Sequence, residues 1–155
     1  MTAGVPVAAG FLIIEDGREY SERFARLLGG RFHFSRAGSA DEASALAGGA
    51  LCGLLLDLDF RRTPADQLID DAGQSAAAHP DGERRRLAAV QGILILRALR
   101  RAGVRLPALL FADLDDADQV AFLEGDLGPL RVVPSGVGLQ EISGLLEHLA
   151  AGRAL

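Results

Sequence analysis

The sequence predicts an α/β fold, a doubly wound parallel sheet with helices on both faces. Three observations support this prediction. Short apolar runs recur at residues 11–14, 51–57, 107–112 and 130–133, and they suit strands that are buried on both faces. Segments with apolar residues at helical spacing separate these runs. Strand and helix alternate five times along the chain, which is typical of βαβ units.

The first half of the chain follows this alternation closely. After the first strand, Gly17 frees the backbone for a helix over roughly residues 19–28, and Gly29-Gly30 ends that helix. Residues 31–36 then alternate polar and aromatic side chains with period two. We therefore expect a second strand that is exposed on one face and lies at the margin of the sheet.

A second helix and the central strand come next. Ser39 and Glu42 have the spacing of a capping box, in which the serine caps the helix start and the glutamate reaches back. The strand over residues 51–57 follows. It contains Cys52, the one cysteine of the chain, which we interpret as a small buried hydrophobe.

The pattern breaks between residues 61 and 91, where no strand signal is present. Proline and glycine interrupt this stretch repeatedly. We predict a short helix over residues 65–72, a mobile stretch through His79-Pro80 and a helix that restarts near Asp81.

Helical spacing resumes over residues 87–102. The apolar run 93–96 could pass for a strand, but good helix formers surround it, so a helix is predicted. Residues 84–86 are three consecutive arginines at the start of this helical stretch. They oppose the helix macrodipole unless Asp81, Glu83 or acidic groups of a partner answer them.

The last third of the chain returns to the alternation. A strand over residues 107–112 precedes a helix that ends at Gly125, and a strand over residues 130–133 precedes an amphipathic final helix. Acidic residues open the helix before Gly125 and suit its positive end. The acids are Asp113, Asp115, Asp116 and Asp118. The predicted inner face of the helix consists of Val120, Ala121 and Leu123.

Length and composition fit one compact domain with a full core, since the chain has 155 residues and 49% of them are hydrophobic. The formal net charge is −5 and no basic stripe is present, so we predict no nucleic-acid partner. No apolar run is long enough for a membrane span. Residues 1–10 lack the features of a signal peptide, so a cytoplasmic location is expected.

Carboxylates follow two of the predicted strands. Glu15 and Asp16 come directly after the first strand, and Asp57 and Asp59 end the third. Because open α/β sheets place their chemistry at the carboxyl ends of parallel strands, we expect these side chains to converge at one edge. Burial of the two strands alone would not require carboxylates at their carboxyl ends.

With these features, the sequence resembles the receiver domain of two-component response regulators over nearly its whole length. Residues 92–100 and 107–111 look like the third helix and fourth strand of that family. The resemblance implies a flavodoxin-like five-stranded parallel sheet in the order 2-1-3-4-5. It also implies that residues 1–155 form a single domain, with residues 61–91 as an insertion that expands the connection between the third strand and third helix.

The resemblance implies a site as well. In receivers, an acidic pair and a later aspartate hold Mg²⁺, and that aspartate accepts a phosphoryl group. Glu15, Asp16 and Asp57 match these positions, the backbone carbonyl of Asp59 matches a further metal ligand, and Asp57 is the implied phosphoacceptor. Mg²⁺ would neutralise phosphoryl oxygens so that a carboxylate can attack. The alternative interpretation is that Asp16 caps the first helix, Asp57 merely ends a strand and no metal is held.

Two positions depart from the family. Its serine or threonine after the fourth strand falls on Ala112, and its lysine before a proline falls on Val133 before Pro134. Each missing charge-assisted contact would be worth about 1.5–3 kcal/mol, so any phosphorylation should be slow or short-lived. The candidate substitutes are Ser135, Arg131, Arg61 and Arg62.

The insertion at residues 61–91 begins next to Asp57. It could cover the acidic pocket or form a partner surface whose position depends on the occupancy of that pocket. It could equally have no role, because surface loops tolerate insertions at small entropic cost. Both interpretations stay open.

The resemblance implies a signalling domain of a two-component phosphorelay that acts through protein contacts. Its partners would be a histidine kinase or phosphotransfer protein and a downstream effector, with homodimerisation left open. Its catalysis would extend at most to self-phosphorylation and autodephosphorylation. The implied contact surface is the family's fourth helix, fifth strand and fifth helix.

Two alternatives compete with a phosphorylated receiver. One is a pseudo-receiver that serves as a phosphate-independent adaptor, which Ala112 and Val133 favour. The other is a haloacid-dehalogenase-type phosphatase, because residues 57–59 look like its D-x-D motif. The three histidines lack zinc-ligand spacing. No glycine-rich phosphate loop follows the first strand, so no nucleotide site is predicted.

Overall fold

The computed structural model describes residues 8–155, in which a five-stranded, all-parallel sheet has the order β2-β1-β3-β4-β5. This order confirms the predicted fold. Residues 1–7, on which the signal-peptide prediction partly rests, lie outside the described residues. The strands are β1 (Ala9–Ile14), β2 (Phe32–Ala37), β3 (Leu51–Asp57), β4 (Ala108–Phe111) and β5 (Leu130–Val133). The helices are α1 (Glu19–Leu28), α2 (Ala40–Leu46), α3 (Asp81–Ala89), α4 (Gln91–Arg101), α5 (Ala117–Asp126) and α6 (Leu139–Ala150).

The central strands are buried on both faces because helices cover both sides of the sheet. Successive side chains of a strand point to opposite faces, so β1 supplies two separate cores. Leu12 and Ile14 pack in the core that includes the buried residues of α4, and Phe11 and Ile13 pack in the core that includes those of α1 and α6. This double burial explains why the strands read as continuous apolar runs in the sequence.

Two local predictions in the first half are confirmed. The strand β2 lies at the sheet edge, with Phe32 buried and His33 exposed. The hydroxyl of Ser39 accepts a hydrogen bond from the backbone N–H of Glu42 at 3.3 Å, and the carboxylate of Glu42 accepts one from the N–H of Gly38 at 3.4 Å. The capping box therefore starts α2 as the spacing predicted.

The helix predicted over residues 65–72 is wrong. The chain forms a single 3₁₀ turn at Ala65–Gln67 and a second at Ala76–Ala78, and Ile69 pairs with Ser75 in an antiparallel bridge. The buried amide of Gln91 explains the difference, because it donates to the carbonyl of Ile69 at 3.1 Å and accepts from its N–H at 2.9 Å. These bonds occupy backbone groups that a continuous helix would use itself.

The stretch through His79-Pro80, which was predicted to be mobile, is hydrogen-bonded to the segment around Asp70. A ring nitrogen of His79 lies 3.0 Å from a carboxylate oxygen of Asp70. That carboxylate also accepts hydrogen bonds from the N–H groups of Ala72 and Gln74, both at 2.9 Å. Asp70 therefore organises this part of the insertion in the manner of an Asx turn.

The helical stretch that follows is interrupted at Val90, whose backbone angles are φ −122° and ψ 17°. The insertion thus contains a helix of its own, α3, and α4 takes the place of the third helix of the predicted fold. Bonds to the end of β3 account for the break. Phe60 donates its N–H to the carbonyl of Ala88 at 2.8 Å, and Gly92 donates to the carbonyl of Leu58 at 3.0 Å. Residues 93–96 lie within α4, which confirms that they form no strand.

The helix α5 begins later than its acidic residues suggested. Asp116 is its N-cap and accepts hydrogen bonds from the N–H groups of Asp118 at 2.9 Å and Gln119 at 3.3 Å. Of the predicted inner face, Leu123 is buried and Ala121 is exposed. The side of α5 that carries Phe122, which is 65% exposed, faces solvent.

One buried arginine forms hydrogen bonds to both of the turns that lead into β4 and β5. Arg100 is 7% exposed and donates hydrogen bonds to four backbone carbonyls. The acceptors are Leu127 at 3.0 Å, Val104 at 3.0 Å, Leu106 at 2.7 Å and Pro129 at 2.8 Å. Its charge is therefore stabilised by carbonyl dipoles.

Between residues 8 and 155, the helices are all too short or too polar to cross a bilayer.

Candidate functional site

The parallel register of β1 and β3 brings the predicted acids to one edge of the sheet, because Ile14, the last residue of β1, pairs with Leu56, one residue before the end of β3. A small cavity of about 360 Å³ opens at this edge. We call it the acidic cavity, and it is lined by Asp16, Asp57, Asp59, Arg61 and Arg62. The sheet therefore places three of the four predicted acids around one volume.

The fourth acid, Glu15, faces the first helix instead. Its carboxylate accepts hydrogen bonds from the N–H groups of Tyr20 at 3.1 Å and Ser21 at 2.8 Å, and the residue is 1% exposed. Burial raises the pKa of Glu15, and the hydrogen bonds with Ser21 and Tyr20 partly offset this rise. Glu15, rather than Asp16, thus satisfies free N–H groups at the start of α1, so the alternative interpretation named the wrong carboxylate.

Asp16 is covered by the guanidinium of Arg62. The backbone N–H and Nε of Arg62 donate to one carboxylate oxygen at 3.0 and 3.3 Å, and Nη2 donates to the other at 3.0 Å. The side chain of Asp16 is only 3% exposed, whereas that of Arg62 is 58% exposed. The arginine therefore lies on the solvent side of the carboxylate and satisfies both of its oxygens.

The same guanidinium reaches a carboxylate that the sequence did not single out. Nη1 and Nη2 of Arg62 donate to the two oxygens of Glu19 at 2.6 and 3.0 Å. The hydrogen bond with Arg62 lowers the pKa of Glu19 to about 2, and the hydrogen bonds with Glu19 and Asp16 raise the pKa of Arg62. One cation thus joins the loop after β3 to the loop after β1 and to α1.

Asp57 is the least engaged acid of the cavity. One of its oxygens accepts a hydrogen bond from the N–H of Leu58 at 2.9 Å, and no salt bridge to it is present within the described residues. Burial raises the pKa of Asp57 to about 6, and the neighbouring charges of Asp16, Glu15 and Asp59 act in the same direction. The carboxylate of Asp59 pairs with Arg61 and accepts a hydrogen bond from its backbone N–H at 2.9 Å.

This arrangement does not fit a Mg²⁺ ion. Across residues 8–155, no three His, Cys, Asp or Glu side chains come together as a metal-binding group. Glu15 is engaged with α1 and both oxygens of Asp16 are engaged with Arg62, so these carboxylates are not free as metal ligands. A guanidinium supplies the positive charge that converging carboxylates require.

The two positions that depart from the receiver pattern are both buried. Ala112 is 5% exposed and Val133 is 3% exposed, and the N–H of Ala112 donates to the carbonyl of Val133 at 2.9 Å. Of the four candidate substitutes, Ser135 donates to the carboxylate of Asp113 instead, and Arg131 lies exposed on β5. Arg61 and Arg62 reach the acidic cavity. The chain contains no lysine at all.

The phosphatase interpretation finds little support in the geometry. Asp113 accepts hydrogen bonds from Ser135, and Asp116 caps α5. Neither lines the acidic cavity beside Asp57 and Asp59. These two acids are therefore committed to local structure.

An aromatic side chain that sequence reasoning did not assign to the site lies close to the acids. Tyr20 stacks on Phe111 with ring centroids 5.0 Å apart and an interplanar angle of 18°. Burial raises the pKa of Tyr20 to about 12, and the charge of Asp57 contributes to this rise. Tyr20 lies in the helix predicted over residues 19–28, and no sequence signal indicated its closeness to Asp57.

Asp57→Asn is expected to flatten the dependence of stability on pH. Because the pKa of Asp57 rises from 3.8 to about 6 on folding, the folded chain keeps its proton where the unfolded chain has lost it. The contribution of Asp57 to the free energy of unfolding should therefore fall as pH rises from about 4 to about 6. In urea unfolding across this range, the stability of Asp57→Asn relative to the native protein should rise with pH. Asp41→Asn, which removes an exposed carboxylate outside the acidic cavity, is the control, and equal slopes for the native protein and Asp57→Asn would contradict the shift.

Comparison with known proteins supports the fold but shows no relationship at the level of sequence. No protein-family model matches the chain, and no curated protein matches it in sequence. Among solved structures, the receiver domain of the Francisella response regulator 1452 superposes with a TM-score of 0.66 at 12% identity, over 93% of this chain and 98% of that one. A response regulator receiver domain protein from Clostridium thermocellum gives 0.62 at 13% identity, over 93% and 95%.

The receiver domain of a signal transduction histidine kinase from Syntrophus aciditrophicus is similar to the same degree. It gives a TM-score of 0.62 at 15% identity, over 94% of this chain and 92% of that one. Identities this low establish a shared architecture and leave the chemistry to be argued from the residues. The resemblance inferred from the sequence is thus confirmed in its architecture: the chain has the receiver fold.

Proposed function

We propose that this protein is a receiver-like signalling module that works through protein contacts, without phosphate and with an arginine in the place of a metal ion. The contact between Arg62 and Asp16 carries this proposal. A guanidinium stays charged at any physiological pH and its fork suits a carboxylate. Because it belongs to the chain, its charge is present at every Mg²⁺ concentration.

The positions around Asp57 also favour a phosphate-independent module. Ala112 has no hydroxyl and Val133 has no charge, so neither can bind a phosphoryl group on Asp57. The exposed partner surface is the one formed by α5, β5 and α6, where Phe122 is the most exposed large hydrophobic residue of the described chain. Exposed aromatic residues of this kind are favoured contact points in protein interfaces.

A second candidate function is phosphoryl acceptance by Asp57 from a histidine kinase or phosphotransfer protein. The observation that favours it is that Asp57 lines an open cavity and forms no salt bridge within residues 8–155. In that case the Mg²⁺ ligands would be Glu15, Asp16, Asp57 and the carbonyl of Asp59. Arg62 would then have to leave Asp16.

Phosphorylation separates the two candidates directly. The intact mass of the protein should be unchanged after incubation with acetyl phosphate and Mg²⁺, because the groups that would neutralise a phosphoryl oxygen are missing or engaged. Asp57→Asn is the matched control. A single phosphoryl adduct on the native chain that Asp57→Asn abolishes would refute the phosphate-independent proposal and establish the second candidate.

A melting experiment tests the role of Arg62. The melting temperature of the native protein should be indifferent to millimolar Mg²⁺. That of Arg62→Met should rise with Mg²⁺, because the substitution frees the oxygens of Asp16 beside Asp57 and an ion that binds the folded state stabilises it. Arg26→Met, which removes an exposed charge on α1, is the control and should behave as the native chain. A native melting temperature that rises with Mg²⁺ would contradict the proposal.

A further inference from the structure

A second, larger cavity lies within the insertion, on the other side of Arg61. It has a volume of about 670 Å³, which is in the range of small-molecule sites. We call it the basic cavity. The wall of this cavity consists of small or apolar residues, which are Thr63, Ala65, Leu68, Ala88 and Ala89. Its rim consists of charged residues, which are Arg61, Asp81, Arg84 and Arg85. We propose that this cavity binds a small organic phosphate that carries a planar ring.

The apolar wall of the basic cavity is held in place by the core. Leu68 is 3% exposed and Ala88 is 6% exposed, and both belong to the core beneath α4. The carbonyl of Ala88 accepts a hydrogen bond from the N–H of Phe60 at 2.8 Å, which fixes α3 against the end of β3. The cavity is thus formed by packed elements, and a ligand would need little reordering of the chain to bind.

The rim carries an excess of positive charge. Three guanidinium groups and one carboxylate line it. Because Arg84 pairs with Asp81 and Arg61 pairs with Asp59, the guanidinium of Arg85 supplies the excess, although the chain as a whole has a net charge of −5. A phosphate ester carries about −1.5 to −2 charges at neutral pH, whereas a single carboxylate carries one. A phosphate group can accept hydrogen bonds from several guanidinium groups through its three oxygens, so a rim with three arginines favours a phosphate over a carboxylate.

The arginines of α3 differ in how they are engaged. Arg84 pairs with Asp81, and Arg86 pairs with Glu83, so these acids answer part of the charge at the helix start as the sequence required. Arg85 lies on the same helix, and its guanidinium forms no hydrogen bond or ion pair with any residue from 8 to 155. It is exposed at the rim of the basic cavity, where it is free to bind a phosphate.

The shape and chemistry of the wall indicate the rest of the ligand. The alanines leave a low apolar surface on which a flat ring can lie, and a guanidinium binds phosphate through its fork and stacks on aromatic rings through its face. An anion without an apolar part would leave this surface unused. No phosphate-loop motif marks the site in the sequence, because its residues are spread over residues 61–89.

Isothermal titration calorimetry of the full chain, without Mg²⁺, tests the proposal with adenosine diphosphate, guanosine diphosphate and inorganic phosphate. At least one nucleotide should bind with a dissociation constant of about 1 mM or lower. Arg85→Glu should weaken this binding by roughly tenfold or more, because a charge-assisted contact becomes repulsive. Arg26→Glu makes the same charge change on the exposed side of α1 and should leave binding unchanged.

Circular dichroism of each variant checks that it is folded, and Arg85 is exposed, so its substitution removes no core contact. Ala89→Phe, which fills the cavity without changing its charge, should weaken binding as well. The absence of heat with both nucleotides would overturn the proposal. Equal binding by Arg85→Glu and Arg26→Glu would place the site elsewhere. Inorganic phosphate that binds as tightly as the nucleotides would refute the role of the apolar wall.

Discussion

Arg100→Met is expected to lower the free energy of unfolding by about 3–5 kcal/mol. The native guanidinium donates to four carbonyls in the turns before β4 and β5. Methionine keeps much of the apolar stem but donates no hydrogen bond, so these buried acceptors lose their partner. Each such loss costs about 1 kcal/mol or more. Urea unfolding followed by circular dichroism measures the change.

Arg97→Met is the matched control on the same helix. Arg97 is partly exposed, and its ion pair with Asp126 spans 3.7 Å, so its loss should cost less than about 1 kcal/mol. If the two variants lost equal stability, the network of carbonyls around Arg100 would not be what stabilises this end of the sheet.

Gly92→Ala is expected to destabilise the fold by about 2–4 kcal/mol and to disturb the acidic cavity at the same time. A Cβ atom at this position would lie 2.0 Å from the carbonyl oxygen of Asp57 and 3.1 Å from the Cα of Leu58. Both are backbone atoms and cannot rotate away, so α4 would have to move off the end of β3. The hydrogen bond from the N–H of Gly92 to Leu58 would be strained as well.

Gly144→Ala provides a control of opposite sign. Gly144 lies inside α6, and a Cβ atom there would meet no heavy atom within 4 Å. Alanine should therefore raise the free energy of unfolding by about 0.5–1 kcal/mol, because it restricts the unfolded chain and favours the helix. Thermal and urea unfolding of both variants compare the two positions, and a neutral Gly92→Ala would show that α4 can slide away from β3 freely.

The strands and their common edge could be predicted from the sequence because both depend on local patterns. A run such as residues 53–56 is apolar without interruption wherever the strand is buried on both faces. Once Glu15, Asp16 and Asp57 follow strands that lie side by side, the parallel topology alone brings them to one edge. No side-chain geometry is needed for that conclusion.

The direction in which each carboxylate points could not be predicted, because it depends on which donors are free nearby. Arg18, the N-cap of α1, forms no side-chain cap, so N–H groups at the start of that helix bind Glu15. The pairing of Arg62 with Asp16 and Glu19 joins residues more than 40 positions apart in the sequence. The break at Val90 likewise follows from hydrogen bonds to β3 that leave no periodic signal.

The position of Arg62 at the start of the insertion has a mechanical consequence. In a metal-containing site, the positive charge comes and goes with the concentration of an ion in solution. Here the charge is attached to the segment that also carries both 3₁₀ turns and α3, so the position of the cation beside Asp16 is coupled to the position of that segment. The charge balance of the acidic edge of the sheet therefore depends on where this segment lies and not on the concentration of an ion.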